Sequence, residues 1–306
     1  MNLKPFEYVE AKSLEDAVEA LSAYGDGARV IAGGTVMVPL MKMRMVQPEA
    51  LVSLLSVEGL ADVREDGGTL VVGALATHRA VSRSGVVREH APLLARACGR
   101  VASPAIRSMG TLGGNLCYGE SASDPPSALL ALGGSVRLRG PDGERLVPFE
   151  DFFVGFYETA IGPDEVLTHV QVRRPPPEGR WRYLKWTPRA REDKPLVGLA
   201  VLLEMENGAC RRASMAVGGV ADRPVLLARA SAALSGRDLG EPSIAEAAEA
   251  AAAEVEPVDD LHASAGYRRD MLRVWVARTL RDLATDPQEG RGQAGEPHEP
   301  GEAGSP

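Results

Sequence analysis

The chain has 306 residues, 44% of them hydrophobic and 25% charged, with 34 basic against 42 acidic side chains and a formal net charge of −8. This length buries a sizeable core in two or three compact units, and a charge balance with no basic stripe argues against nucleic acid as a partner. No apolar run reaches the roughly 18 residues of a membrane span, and the opening MNLKPFEYVEAKS holds no apolar signal core, so a cytoplasmic protein that is not membrane-spanning is expected.

In chain order, the stretch 13–24 reads as an amphipathic helix: Leu14, Ala17, Val18 and Leu21 share a face, Ser13 is the N-cap, and Asp16 follows three residues on. Residues 29–31 form a short buried strand that feeds the glycine loop Ala32-Gly33-Gly34-Thr35, and 36–41 is the helix behind it. Methionines at 37, 41, 43 and 45 form a stripe read as core packing. A strand at 51–55 closes this βαβ-like unit. A second unit opens near Val57 with a hairpin, 60–64 against 69–72, turned by Asp66-Gly67-Gly68. Thr77 caps the next helix and places His78 in its exposed first turn. The stretches 92–98 and 127–132 are helical, 135–138 pairs with 145–147 across Gly140-Pro141-Asp142-Gly143, and 165–172 alternates as a strand. The run Pro175-Pro176-Pro177 is a stiff spacer and marks the last boundary. Beyond it come three antiparallel strands, 181–186, 196–205 and 210–217, then helices at 224–234, 243–254 and 264–283. From Asp286 the chain is rich in Gly, Pro, Glu and Gln, and disorder is expected.

The organising stretch is TLGGNLCYGESASD. Here Thr111, Leu112, Gly113, Gly114 and Asn115 read as a tight turn whose glycines permit positive φ and whose consecutive N–H groups form a concavity suited to an anion. With Ala32, Gly33, Gly34, Thr35 and Val36 it gives two loops about eighty residues apart that could grip the two phosphates of one dinucleotide, although a Gly-Gly pair taken singly is more often a plain turn. The spacings GxGxxG and GxxxxGK[ST] are both absent, so a different fold holds the nucleotide. Asp124, ahead of Pro125, either accepts from a ribose or other hydroxyl or serves as a helix N-cap. No catalytic residue and no metal site is found: the histidines are scattered, no HExxH occurs, and Cys98, Cys117 and Cys210 are too few and too far apart to ligate an iron–sulfur cluster. Cys117, beside the glycine turn, reads as an apolar filler before it reads as a thiol.

The segments AGGTVMVPLMKMRMVQPEALVSL, VASPAIRSMGTLGGNL, ASDPPSALLALG, GPDEVLTHVQV and AVGGVADRP resemble, in this order, the FAD-binding medium subunit of molybdenum hydroxylases. That group includes aerobic carbon monoxide dehydrogenase and xanthine dehydrogenase. The resemblance implies an α+β fold: a two-part FAD-binding domain, 1–56 and 57–176, then a C-terminal domain of antiparallel sheet and helices, 177–285, and a tail, 286–306. It implies non-covalent FAD, with Lys185 near the flavin edge, where its charge would stabilise a reduced, anionic flavin, and with Val101 and Leu167 packed on the cofactor. From the residues alone Lys185 reads first as a solvated, outward strand lysine, and Val101 and Leu167 are equally core. Tyr118-Gly119-Glu120 departs from the His-Ala-Asp-like stretch of relatives. The implied function is an electron-transfer subunit that takes electrons from an iron–sulfur subunit, alongside a molybdenum-cofactor subunit, and passes them to a quinone or NAD. The implied assembly is a heterotrimer or its dimer. Two rivals remain at this stage: a stand-alone FAD-dependent oxidase and a non-catalytic nucleotide-binding module.

Overall fold

The computed structural model describes residues 3–174 and 179–285. The triple proline, with the boundary expected there, and the tail expected to be disordered lie outside the described residues.

The first layer is a small parallel sheet. Its elements are β1 (Glu7–Glu10), α1 (Leu14–Tyr24), β2 (Ala28–Ile31), α2 (Met37–Lys42) and β3 (Ala50–Ser53), with strand order β1-β3-β2. The capping box of α1 forms as its sequence dictates: Asp16 N donates to Ser13 Oγ at 3.0 Å and Ser13 N to Asp16 Oδ2 at 3.1 Å. β3 is buried at all four positions because a strand lies on each side of it. β1 has no counterpart among the expected elements. Glu7, Tyr8 and Glu10 are exposed, so no apolar alternation announces it, and it exists through parallel pairing with β3.

The second unit contains β4 (Val63–Asp66), β5 (Thr69–Gly73), α3 (His78–Arg83), α4 (Gly85–His90), α5 (Pro92–Cys98), α6 (Pro104–Met109), α7 (Leu112–Tyr118) and α8 (Asp124–Leu132). It continues through β6 (Gly134–Gly140), β7 (Gly143–Pro148), α9 (Phe149–Phe152), β8 (Phe153–Gly155), β9 (Glu158–Thr159) and β10 (Val166–Arg173). Five strands form an antiparallel sheet in the order β4-β5-β10-β6-β7. α8 is buried from Asp124 to Ala131, which makes it the central helix of the molecule.

The last unit has β11 (Gly179–Trp186), β12 (Val197–Glu206), β13 (Ala209–Gly218), β14 (Val225–Leu226), α10 (Ala228–Ala232), α11 (Glu241–Ala253) and α12 (Ala265–Thr285). The helix expected over 224–234 is shorter, because Val225 and Leu226 pair with Val217 and Ala216 as a sheet edge before it begins. The alternation of β12 sorts two cores: Val197, Leu199, Val201 and Leu203 pack with the helices α11 and α12, whereas Ala200 joins Tyr183 and Ala216 in the core around α8. This second face seats the C-terminal sheet directly on the helix behind the organising loop.

Candidate functional site

The first glycine loop leaves β2 and enters α2. Gly34 has φ 67°, a left-handed conformation that glycine adopts without a Cβ penalty. Gly33 is required for a different reason: a Cβ there would stand 1.9 Å from the Met109 carbonyl oxygen and 3.2 Å from Gly110 Cα. The two loops expected to share a ligand therefore meet main chain to main chain. The N–H groups of Gly33, Gly34, Thr35 and Val36 donate to no acceptor among the described residues. All four residues are half-buried, so this row of unpaired donors is a concavity of the kind that holds an anion.

The second loop differs from the expected turn. Leu112, Gly113, Gly114 and Asn115 are the first turn of α7, and Thr111 is its N-cap, its Oγ1 accepting from Gly114 N at 3.1 Å. Leu112 N donates to Ala76 O at 2.9 Å, Gly113 N to Ala74 O at 2.9 Å and Asn115 N to Thr111 O at 3.0 Å. Its N–H groups are committed inside the chain, and the expected anion-binding concavity is not formed here. Gly113 answers to packing instead of positive φ, because a Cβ would lie 2.6 Å from Ala74 Cβ. What this loop offers a ligand is the exposed surface of Gly114 and the Asn115 amide, whose Oδ1 accepts from Ser123 Oγ at 2.9 Å.

Asp124 and Lys185 are brought together. Lys185 Nζ donates to Asp124 Oδ2 at 2.9 Å and to Arg100 O at 2.8 Å, and Tyr183 donates its hydroxyl to Asp124 Oδ1 at 2.7 Å. The two charged side chains are only 5% and 3% exposed, so Lys185 is not an outward strand lysine. Burial pushes the Asp124 carboxyl up from its usual range, against the pull of Lys185 and Tyr183, and burial with the Asp124 charge drives the Tyr183 phenol well up. Ser123, not Asp124, is the N-cap residue of α8; Asp124 is its first helical residue and has both carboxylate oxygens occupied. Tyr183, two residues from Lys185 on one face of β11, is a site residue that the sequence pattern does not mark.

Val101 and Leu167 are buried, Leu167 within the main core. β10 nevertheless backs the second loop: Ala74 N donates to Thr168 O at 2.8 Å, and Ala74 packs on Gly113. Val101 borders Ala102, which has φ 38°, and Arg107 Nη1 donates to the carbonyls of both, at 2.8 and 2.6 Å. A non-glycine residue in that region is strained and needs such a clamp. His78, expected in an exposed first turn, is 2% exposed, with its N donating to Gly110 O at 3.0 Å and its Nδ1 without a partner among the described residues.

Glu120 joins three segments, accepting from Tyr157 Oη at 2.7 Å, from Ala122 N at 3.2 Å and from Lys194. Burial alone would raise its carboxyl, but these donors overturn that and hold it below the usual range. Burial pushes the Cys117 thiol up to about 12, which suits the filler reading. Among the described residues no group of three or more His, Cys, Asp and Glu side chains could hold a metal ion, and no helix is long and apolar enough to cross a membrane.

Comparison with known proteins identifies the family and the fold. The profile of the family described as "FAD binding domain in molybdopterin dehydrogenase" matches residues 4–175, and that of the "CO dehydrogenase flavoprotein C-terminal domain" matches residues 182–283. The carbon monoxide dehydrogenase medium chain of Afipia carboxidovorans is 36% identical over 275 residues, 90% of this chain and 95% of that one. The nicotine 6-hydroxylase medium subunit of Paenarthrobacter nicotinovorans is 34% identical over 280 residues, 92% and 98% of the two chains. Among solved structures, a chain of the cyanide-inactivated Cu,Mo-CO dehydrogenase superposes with TM-score 0.90 at 35% identity, covering 93% of this chain and 99% of that one. One of quinoline 2-oxidoreductase from Pseudomonas putida 86 superposes with TM-score 0.88 at 32% identity, again covering 93% and 99%.

Proposed function

The chain belongs to the FAD-binding flavoprotein subunits of the molybdenum hydroxylases, and from that premise we propose that it takes electrons from an iron–sulfur partner and passes them to an external acceptor, a quinone or NAD. It is an oxidoreductase component. The single observation that carries the placement of FAD is the row of unpaired N–H groups at Gly33, Gly34, Thr35 and Val36, half-buried and pressed against Met109 and Gly110. These donors suit a pyrophosphate, and the exposed Gly114 and the Asn115 amide follow Met109 and Gly110 on the second loop. FAD, when bound, supplies the redox chemistry, and the chain supplies position and field.

Each residue then has a physical task. The first loop binds the anionic linkage through main chain alone, as a close approach without side chains allows. Asp124 is fixed by Tyr183 and Lys185, and the pair keeps a positive charge buried beside Val101 through the Arg100 carbonyl. Leu167 and Val101 line the apolar side. The molybdenum cofactor and the clusters belong to partner subunits, in keeping with relatives named as medium chains, and the proposed assembly is three different subunits, singly or doubled.

The test has two stages. Purified chain is denatured and the released flavin identified; intact FAD at one per chain is expected, and FMN or no flavin from folded protein refutes the site. The flavin-loaded chain is then mixed with candidate carbon substrates, with and without partner subunits. Reduction only with the partners supports the electron-transfer role, and robust reduction by the chain alone refutes it.

A further inference from the structure

We propose that His78 is a phosphate-contacting residue of this site, its imidazole donating an N–H to a pyrophosphate oxygen held against the unpaired N–H groups of Gly33, Gly34, Thr35 and Val36. The proposal rests on the FAD-binding reading above and adds a residue to it.

Position is the first argument. A Cβ on Gly110 would sit 3.3 Å from His78 Cδ2 and 3.3 Å from Thr35 Oγ1. The side chain that glycine lacks thus leaves an imidazole edge and a hydroxyl of the first loop facing one spot, at the junction of the two loops. His78 is anchored there by its own backbone, through the bond to Gly110 O, and by Thr77, whose Oγ1 accepts from Ala80 N at 3.1 Å and caps α3.

His78 also carries an unmet hydrogen-bonding need. Buried polar atoms are nearly always bonded, yet His78 Nδ1 has no partner among the described residues. A half-turn of the ring about Cβ–Cγ exchanges Nδ1 with Cδ2 and carries that nitrogen to the Thr35 side, where an oxygen of a bound phosphate would satisfy it.

Charge is the third. Arg107 acts on His78, and Arg83 and Arg100 act on Arg107 in turn, alongside the opposing Glu192 and Asp124, so cationic side chains gather near the imidazole, as an anion there favours. Burial, helped by Arg107, pushes the imidazole down to about 4, so near neutral pH it is a neutral donor.

The experiment uses the full chain freed of flavin and titrated with FAD, following quenching of flavin fluorescence. His78→Phe should raise Kd by about tenfold to a hundredfold, the usual worth of a hydrogen bond to a charged oxygen, and His78→Gln, which keeps an N–H donor, should recover part of the loss. Should His78→Phe fail to fold, wild-type chain labelled with 15N-histidine decides: ring nitrogen signals of His78, assigned by their absence from His78→Gln, should shift on saturation with FAD. Unchanged affinity in a folded His78→Phe chain, or ring signals that do not move, would overturn the role of His78 while FAD binding stood. Wild-type chain that takes up no FAD at all would overturn both.

Discussion

At Gly33, Gly34, Thr35 and Val36 the main-chain N–H groups have no acceptor among the described residues, whereas those of Leu112, Gly113, Gly114 and Asn115 are taken by Ala76 O, Ala74 O, Thr111 Oγ1 and Thr111 O. Both stretches carry a Gly-Gly pair, and in sequence they promise the same thing. Their glycines serve different ends: Gly34 takes up a left-handed φ of 67°, while Gly113 clears room for Ala74. A glycine pair marks a place where a side chain is unwelcome; the hydrogen bonds around it decide whether the excluded volume goes to a ligand or to the protein's own packing.

Substitutions across the two loops should separate these roles. The largest effect is expected from Gly33→Val, whose Cβ would meet the Met109 carbonyl at 1.9 Å. The junction must open, with a stability loss on the order of 3 kcal/mol or more and complete loss of FAD. Thermal unfolding and flavin content measure both, and an unaltered melt with full flavin would mean that the loops are not coupled. Next comes Lys185→Met, which strands the buried Asp124 carboxylate. Removing one partner of such a pair costs about 3–5 kcal/mol, and adding Asp124→Asn should restore part of it. If the double variant is no better than the single one, the pair is not a unit.

An effect of similar size should appear in pH. The imidazole of His78 is held at about 4 in the folded chain against 6.5 when exposed, mainly by burial and then by Arg107. The unfolded chain therefore binds the extra proton between those values, so stability is intact above pH 6.5 and falls as pH drops toward 4, by on the order of 3 kcal/mol. Urea midpoints measured across that window should lose this slope in His78→Leu; a slope that persists would assign it to other groups. The smallest change in stability belongs to Gly114→Val. This residue is exposed, and an added Cβ meets only Thr111 Oγ1 at 3.0 Å, so the helix cap is disturbed at a cost of about 1 kcal/mol. FAD affinity should nonetheless fall steeply while the fold remains. Full flavin content in this variant would make the second loop scaffold alone.

Much of the architecture is legible in the sequence where local pattern and tertiary outcome agree. Ser13 and Asp16 announce α1, the β-rich run before Gly73 announces β5, and the unbroken apolar run of residues 197–203 suits a strand covered on both faces. β1 was not legible, since three of its four residues face water and only its register with Ala50–Ser53 makes it a strand. The capped start of α7 is legible in Thr111, a good N-cap residue, although the glycines that follow suit a turn as well. The burial of His78 is not legible, because a first helical turn is commonly solvated and one of its contacts comes from Gly110, thirty-two positions on, which no local window contains. Tyr183 is the near miss, two residues from Lys185 and sharing its carboxylate.

The contact between Gly33 and Met109 has a consequence for how freely this chain can drift. Met109 contributes its carbonyl oxygen, while its side chain is 59% exposed. The junction therefore depends on the identity of one partner and on the mere presence of the other. A library randomised at both positions and sorted for bound flavin should come back lopsided, with nearly any residue accepted at 109 and glycine alone at 33.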